Sequence, residues 1–181
     1  MGDATLPAAM TEGRLPNYRL TGIAEVGEYL AFGMLYERAW PDYSYPIPVN
    51  TTDIHINNFL AFSKYHQAFE VGALNQIALK HNAAKYPTFS IRNLAANAEV
   101  WTGEEEQTIR YADLHPDNTS GSINENTLSM AVRFDYGPFS YYSGGDVSGS
   151  LKNEQGEYVN IETKVGEACG EVDVCKANHH S

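Results

Sequence analysis

The sequence predicts a mixed α/β (α+β) fold in which strands outnumber helices. Between residues 128 and 134, apolar and smaller or polar side chains alternate with the period of two that is typical of a half-buried strand. The segment IETKVGEACG (161–170) has the pattern of a short helix ended by Gly170. The composition, 43% hydrophobic and 12% aromatic, indicates a globular chain rather than a disordered one.

The first half of the chain alternates between helix and strand signals. The apolar spacing in LTGIAEVGEYL (20–30) predicts an amphipathic helix, and AFGMLYERA (31–39) predicts a strand. Asp53 and the two threonines before it offer N-caps for a helix over 54–69. Three further segments are strand candidates: QIALK (76–80), TFSIRNLA (88–95) and AEVWTG (98–103).

The second half has clearer signals. The polar, acidic stretch 103–126 predicts a long surface loop. Two strands follow, joined by a turn at Asp135-Tyr136-Gly137-Pro138, and then a polar loop over 150–160. After the 161–170 helix, VDVCKA (172–177) predicts a final short strand, apolar enough to be buried.

Length and charge restrict the class of protein. With 181 residues, the chain fits one domain with a substantial core. Its net charge of −11, with 12 Lys and Arg residues, gives no strong nucleic-acid footprint. We find neither a membrane-spanning segment nor a signal peptide in these residues. Cys169 and Cys175 do not form a zinc pattern and are interpreted as ordinary thiols.

Two candidate metal ligands follow predicted strands. Asp146 comes directly after a strand and two glycines, which allow sharp turns and close approach. The pair His179-His180 follows the last predicted strand, and imidazole suits zinc, iron or manganese. Each signal also has a simpler explanation. For Asp146 it is a carboxylate that only caps its own turn, and for the histidines it is an ordinary pair of surface residues.

Taken together, these segments resemble the metallo-β-lactamase-fold hydrolases. The resemblance is to the branch of competence-type DNA-uptake hydrolase domains and phosphorylcholine esterases. In this chain the resemblance is based on four segments: Asn126-Thr127-Leu128-Ser129, the aromatic strand 139–142, Gly145-Asp146, and Val172 to Ser181, which reads VDVCKANHHS. The characteristic His-x-His-x-Asp-His motif of the family is missing. The resemblance therefore implies a single partial αββα sandwich domain over 1–181, truncated at both ends.

The resemblance also implies roles for the site residues. Asp146 would bridge two divalent metal ions, zinc or else manganese or iron. One of the two histidines would bind the second metal, with His180 favoured, and His179 would contact a substrate phosphate or the developing oxyanion. His115, in the acidic loop, is an additional candidate ligand. We expect Asp146 and one ring nitrogen of the pair to lie within about 8 Å of each other.

The implied activity is phosphoester hydrolysis by metal-bound hydroxide. The substrate would be a phosphodiester or a small phosphoester, and the acidic charge favours the small one. The fragment itself is expected to be inactive because most of the ligands are outside it. One alternative is a degenerate, non-catalytic binding or structural module of the same fold. Another is an ester or lactam hydrolase that uses the same metals.

Overall fold

The structure is a computed structural model that describes residues 18–62, 66–114, 123–148, 150–152, 156 and 158–179. The chain divides into two compact units, each described here by itself. The first consists of Met1–Ser44 with Pro48–Ala68, and the second of Tyr45–Ile47 with Phe69–Ser181. The expectation of one domain over 1–181 remains a prediction.

The first unit contains two helices and two short strands. They are α1 (Ile23–Tyr29), β1 (Leu35–Glu37), α2 (Ile54–Phe62) and β2 (His66–Ala68), and the two strands pair in parallel. The predicted N-cap is confirmed, because Asp53 Oδ1 accepts the backbone N–H groups of His55 and Ile56 at 2.8 and 3.2 Å. The predicted helix over 54–69 is wrong at its end. Residues 66–68 pair with β1, and these ladder hydrogen bonds override the helical pattern.

The second unit is built on a six-stranded sheet. In spatial order its strands are β10 (Val174–Cys175), β7 (Phe139–Gly144), β6 (Ala131–Tyr136), β3 (Phe89–Ala96), β4 (Glu99–Trp101) and β5 (Thr108–Arg110). Every pairing is antiparallel except that of β10 with β7. The α+β class, with more strands than helices among the described residues, is therefore confirmed.

Three segments differ from the sequence prediction. QIALK forms no strand, because the preceding residues Gly72–Asn75 already hydrogen-bond to β3 and Asn75 then turns the chain with a φ of 62°. The polar loop 150–160 contains a hairpin of β8 (Ser150–Lys152) and β9 (Tyr158–Asn160). The loop 103–126 contains β5 and the short helix α3 (Tyr111–Leu114). Burial of Leu151 and Ala112 in the core explains the last two exceptions.

The β6–β7 hairpin and the last helix confirm their predictions. Gly137 forms the hairpin turn with a φ of 58°, a region that favours glycine. Helix α4 (Ile161–Cys169) begins at Asn160, whose side chain accepts the N–H of Thr163, and it ends at Gly170 with a φ of 68°. In the described part of the chain no helix exceeds nine residues, too few to cross a bilayer.

The core lies on the side of the sheet that α4 covers. Apolar residues of α4 at four-residue spacing, Ile161, Val165 and Cys169, are buried there. They join a cluster that includes Leu94, Ala95, Ala98, Val100, Leu128, Ala131, Tyr142, Val147 and Leu151. Both described cysteines are free, and burial raises the pKa of Cys169, although the Arg133 guanidinium opposes this.

The opposite side of the sheet is rich in aromatic side chains. The strand register places Phe89, Phe134, Tyr136, Phe139 and Tyr141 on one face. With Leu79, Tyr86 and Asp135 they line an open cavity of about 430 Å³. Tyr136 and Phe139 are about half exposed, at 49% and 47%. We call these five aromatic residues the aromatic face.

Strand β10 is held at the sheet edge by one carboxylate. Asp173 Oδ2 accepts the backbone N–H of Ser140 at 2.7 Å and its hydroxyl at 3.0 Å, while the Asp173 N–H donates to the Ser140 carbonyl at 3.1 Å. Past the strand, the Lys176 N–H donates to the Tyr142 carbonyl at 2.9 Å. The predicted burial of this strand is wrong: Val174 is 48% exposed, because β10 is a short edge strand.

The contacts of Asp173 predict a pH-dependent attachment of β10. The hydrogen bonds from the Ser140 backbone and hydroxyl lower the pKa of Asp173 below its ordinary value of 3.8. Because the folded-state pKa is the lower one, this stabilisation is present above pH 3.8 and is lost as the pH falls through the folded-state value. We expect Asp173→Asn to speed amide hydrogen exchange of Lys176 several-fold at neutral pH, and the difference from wild type to shrink in acid.

Asp42→Asn is the matched control, since Asp42 Oδ1 accepts the N–H of Ser44 at 2.9 Å in the first unit. It should leave the exchange of Lys176 unchanged. Equal exchange rates in wild type and Asp173→Asn at neutral pH would show that the carboxylate does not hold the strand.

Candidate functional site

Two strand ends bring two of the predicted site residues, Asp146 and His179, close together. Strand β7 ends at Gly144 and is followed by Gly145 and Asp146, while β10 ends at Cys175, four residues before His179. Because β7 and β10 are neighbours and parallel, both segments leave the sheet at the same edge. Asp146 Oδ2 lies 3.6 Å from His179 Nδ1. The expected closeness of Asp146 to a histidine of the pair is therefore confirmed for His179.

The segment around Asp146 is fixed through its backbone. The N–H of Asp146 donates to Ser129 Oγ at 3.1 Å, and the N–H of Gly145 donates to the Met130 carbonyl at 3.0 Å. The carboxylate itself is not used in these contacts, and the Asp146 side chain is 59% exposed. The backbone is thus held in place, while the carboxylate is exposed enough to be accessible to a cation.

Close packing explains why positions 144 and 145 are glycines. A Cβ at Gly144 would collide with Tyr142 Oη and Asn178 Oδ1. The closest neighbour of a Cβ at Gly145 would be Ser129, at 3.1 Å. The sequence interpretation that these glycines allow close approach is supported at both positions.

The residue before His179 is tied to two elements of the core. Tyr142 Oη donates to Asn178 Oδ1 at 3.1 Å, and Asn178 Nδ2 donates to Glu162 Oε1 at 2.8 Å. Burial of the Tyr142 ring raises the pKa of its hydroxyl. Because Tyr142 is on β7 and Glu162 is on α4, Asn178 anchors the histidine segment to both.

A third segment reaches the site from the entry to β6. Asn124 Oδ1 accepts the N–H groups of Asn126 and Thr127 at 3.0 and 3.1 Å, and these two hydrogen bonds shape the turn. The Asn126 amide nitrogen lies 3.4 Å from His179 Nδ1. The sequence analysis did not name Asn126 as a site residue and missed this contact. Its place in the Asn-x-x-Ser motif was the available signal.

Asp146 and His179 are of the residue types that bind divalent cations, but two ligands are fewer than a metal site needs. A carboxylate and an imidazole are ligands that zinc, iron and manganese accept. A structural zinc site needs four ligands and a catalytic site at least three from the protein. Within the described residues, no group of three or more His, Cys, Asp or Glu side chains is arranged to hold a metal ion. His115 and His180 lie outside the described residues, so their predicted roles stay predictions.

Two further histidines and the acidic run are exposed. His55 is exposed on α2 of the first unit, and His81 is exposed before the turn Ala83–Lys85. The three glutamates at 104–106 are exposed, as expected for a solvated acidic loop. None of these residues is grouped with Asp146 and His179.

Comparisons of this chain with protein-family models, with curated proteins and with solved structures found no match. The resemblance to metallo-β-lactamase-fold hydrolases is thus carried by the motifs around Asn126, Asp146 and His179 alone.

The surroundings of Gly144 and Gly166 predict opposite effects on stability when each is replaced by alanine. Gly144→Ala should destabilise the fold by about 1–3 kcal/mol, because the added methyl group must displace the Tyr142 hydroxyl or the Asn178 amide. Gly166→Ala should stabilise it by about 0.5–1 kcal/mol, since Gly166 lies inside α4 with nothing within 4 Å of an added Cβ. Urea unfolding measures both. A Gly144→Ala variant as stable as wild type would contradict the close packing.

Proposed function

We propose that this chain is part of a metal-dependent hydrolase of the metallo-β-lactamase superfamily that cleaves phosphoesters. The observation that carries the proposal is the separation of 3.6 Å between Asp146 Oδ2 and His179 Nδ1 at the ends of adjacent parallel strands. The motifs that resemble the family are 33 residues apart in sequence (179 − 146). Their meeting in space is what a shared site requires.

The proposed roles follow the motif. Asp146 and His180 would hold the divalent ions, and His179 would contact an oxygen of the substrate phosphate. His115 is a further candidate ligand. When bound, the two ions would lower the pKa of a water molecule and offset charge on the phosphoryl oxygens. The chain's own residues hold the two ligand-bearing segments at a fixed spacing, through Ser129 on one side and Asn178 on the other.

The aromatic face supports the proposal of a partial αββα sandwich. One side of the six-stranded sheet is covered by α4, while the other carries five aromatic side chains and a cavity of about 430 Å³. A sheet of a sandwich has both sides apolar, because one side packs on helices and the other on the second sheet. The missing ligands would belong to that second layer, and we propose that the fragment alone is inactive.

The charge of the chain bears on the substrate. A net charge of −11 repels a polyanion over most of the surface, so long nucleic acid would need contacts from outside these residues. A small phosphoester needs only local neutralisation at the site. Within the proposal we therefore favour a small phosphoester over a nucleic acid.

A non-catalytic module of the same fold is the second candidate. It is favoured by the finding that the described residues bring together two potential ligands and no third. In this alternative Asp146 and the histidine pair bind no metal, and the aromatic face serves binding or assembly. Both candidates share the fold, and metal content separates them.

The test uses this chain together with its flanking coding sequence. If the reading frame contains a His-x-His-x-Asp-His motif upstream, we expect the protein to retain about two zinc, manganese or iron ions and to hydrolyse bis-p-nitrophenyl phosphate. Asp146→Asn should lower kcat/KM by more than about a hundredfold, because it removes the bridging ligand. The exposed control Asp42→Asn should leave kcat/KM unchanged.

Two results would reject the hydrolase. One is the absence of retained metal in the folded, extended protein. The other is an Asp146→Asn variant with the same metal content and the same activity as wild type. The first result favours the non-catalytic module.

A further inference from the structure

We propose that the cavity on the aromatic face binds a small amphiphile, which is a molecule with an apolar body and an anionic head group. The cavity is open and has a volume of about 430 Å³. Small-molecule sites in proteins are commonly concave, mostly apolar and about 300–1,000 Å³ in volume. The proposal goes beyond the proposed hydrolase, because it involves neither Asp146 nor His179 and requires no metal ion.

The lining of the cavity fits an apolar body. The five residues of the aromatic face come from three neighbouring strands, β3, β6 and β7, and Leu79 and Tyr86 add to the lining from the segment before β3. The Tyr86 ring meets the Tyr136 ring edge to face, with centroids 6.1 Å apart. The backbone of Tyr86 is held by its N–H, which donates to the Ala83 carbonyl at 2.9 Å, and by its carbonyl, which accepts the N–H of Phe89 at 3.0 Å. The sheet is thus the floor of the cavity, and the segment with Tyr86 is a wall.

Among the described lining residues, Asp135 alone is charged, and its carboxylate is turned away from the cavity. Neighbours along a strand point to opposite sides, so Asp135, between Phe134 and Tyr136, points to the side that α4 covers. There its Oδ1 lies 3.0 Å from Arg133 Nη2. Arg133 Nη1 also donates to the Glu171 carbonyl at 3.0 Å. The charge of Asp135 is therefore offset outside the cavity, and the cavity itself is apolar.

Cationic side chains lie beside the cavity where Leu79 and Tyr86 line it. Lys85 Nζ is 5.6 Å from the centroid of the Tyr86 ring, and Lys80 follows Leu79 directly. Within the described part of the chain, neither lysine forms an ion pair. Residues 71–98 contain no Asp or Glu, although the whole chain has 23. This side of the cavity therefore favours an anionic head group over a cationic one.

A second layer of the proposed sandwich would lie over the same face. Protein interiors contain few voids larger than a water molecule, so that layer would either fill the cavity with side chains or close over a ligand. We therefore assign the ligand to this chain, in which the cavity is open, and the test uses this chain alone.

The experiment compares decanoate, 1-decanol and decyltrimethylammonium, which share one apolar chain and differ in the charge of the head group. Each is titrated below its micelle concentration at neutral pH, and binding is followed in the ¹H–¹⁵N spectrum of the chain. We expect decanoate to saturate one site and to shift the amide signals of Phe134 to Tyr141. It should bind about threefold to tenfold more tightly than 1-decanol, because the two lysines attract only the carboxylate. Decyltrimethylammonium should bind more weakly than decanoate.

Three variants separate the head group from the apolar body. Lys85→Gln should weaken decanoate binding about twofold to fivefold and leave 1-decanol binding unchanged. Lys164→Gln is the matched control, since it removes the same charge from α4, on the other side of the sheet, and should change neither. Phe139→Ala should weaken the binding of decanoate and 1-decanol alike, by about tenfold, because it removes apolar contact area.

Equal affinities for decanoate and decyltrimethylammonium would overturn the proposal, and so would signal shifts confined to α4. Binding to vesicles of anionic phospholipid without binding of decanoate would point to a membrane surface and would overturn it too. The wild-type titrations decide the head group even if a variant fails to fold. Because no metal is present, the result is separate from metal retention and phosphoester hydrolysis, which test the proposed function.

Discussion

The parallel pairing of β10 with β7 is the interaction on which the candidate site depends. It involves two residues of β10, Val174 and Cys175, at an exposed edge of the sheet. So short a pairing has little stability of its own. Its direction is fixed on one side by Asp173 with Ser140 and on the other by the Lys176 N–H on Tyr142. With an antiparallel β10, the histidine segment would leave the sheet at the opposite edge from Asp146.

The attachment of the segment before His179 depends on the glycine at position 144. With no side chain at Gly144, the Tyr142 hydroxyl and the Asn178 amide occupy the space above the strand end. Asn178 then links β7 to Glu162 on α4, so the segment before His179 is attached to the core. The site residues themselves are left partly exposed, His179 at 33% and Asp146 at 59%. Rigid backbone beneath accessible side chains is the arrangement that a ligand site needs.

The sequence predicted the parts of the fold in which local pattern and tertiary structure agree. Alternation predicted the β6–β7 hairpin, and the glycine at position 170 predicted the end of α4. It failed where a tertiary contact decides. Residues 66–68 continue a helical pattern but pair with β1, and the polar hairpin of β8 and β9 is recognisable only from the burial of Leu151.

The candidate site likewise contains residues that local pattern predicts and contacts that only the tertiary structure reveals. Asp146 and His179 could be found from their positions after strands, but the Asn126 contact and the Asp173 anchor come from residues distant in sequence.

The most direct test of the account is paramagnetic broadening by Mn²⁺ in the ¹H–¹⁵N spectrum of this chain. We expect substoichiometric Mn²⁺ to broaden the amide signals of Asp146 and His179 first, because the proposed cation position lies next to both residues, and Asp146→Asn to abolish that selectivity. Added Zn²⁺ should compete with Mn²⁺ and restore the signals. Broadening centred on the acidic run 104–106, with Asp146 and His179 unaffected, would contradict the claim that the two strand ends form a metal site.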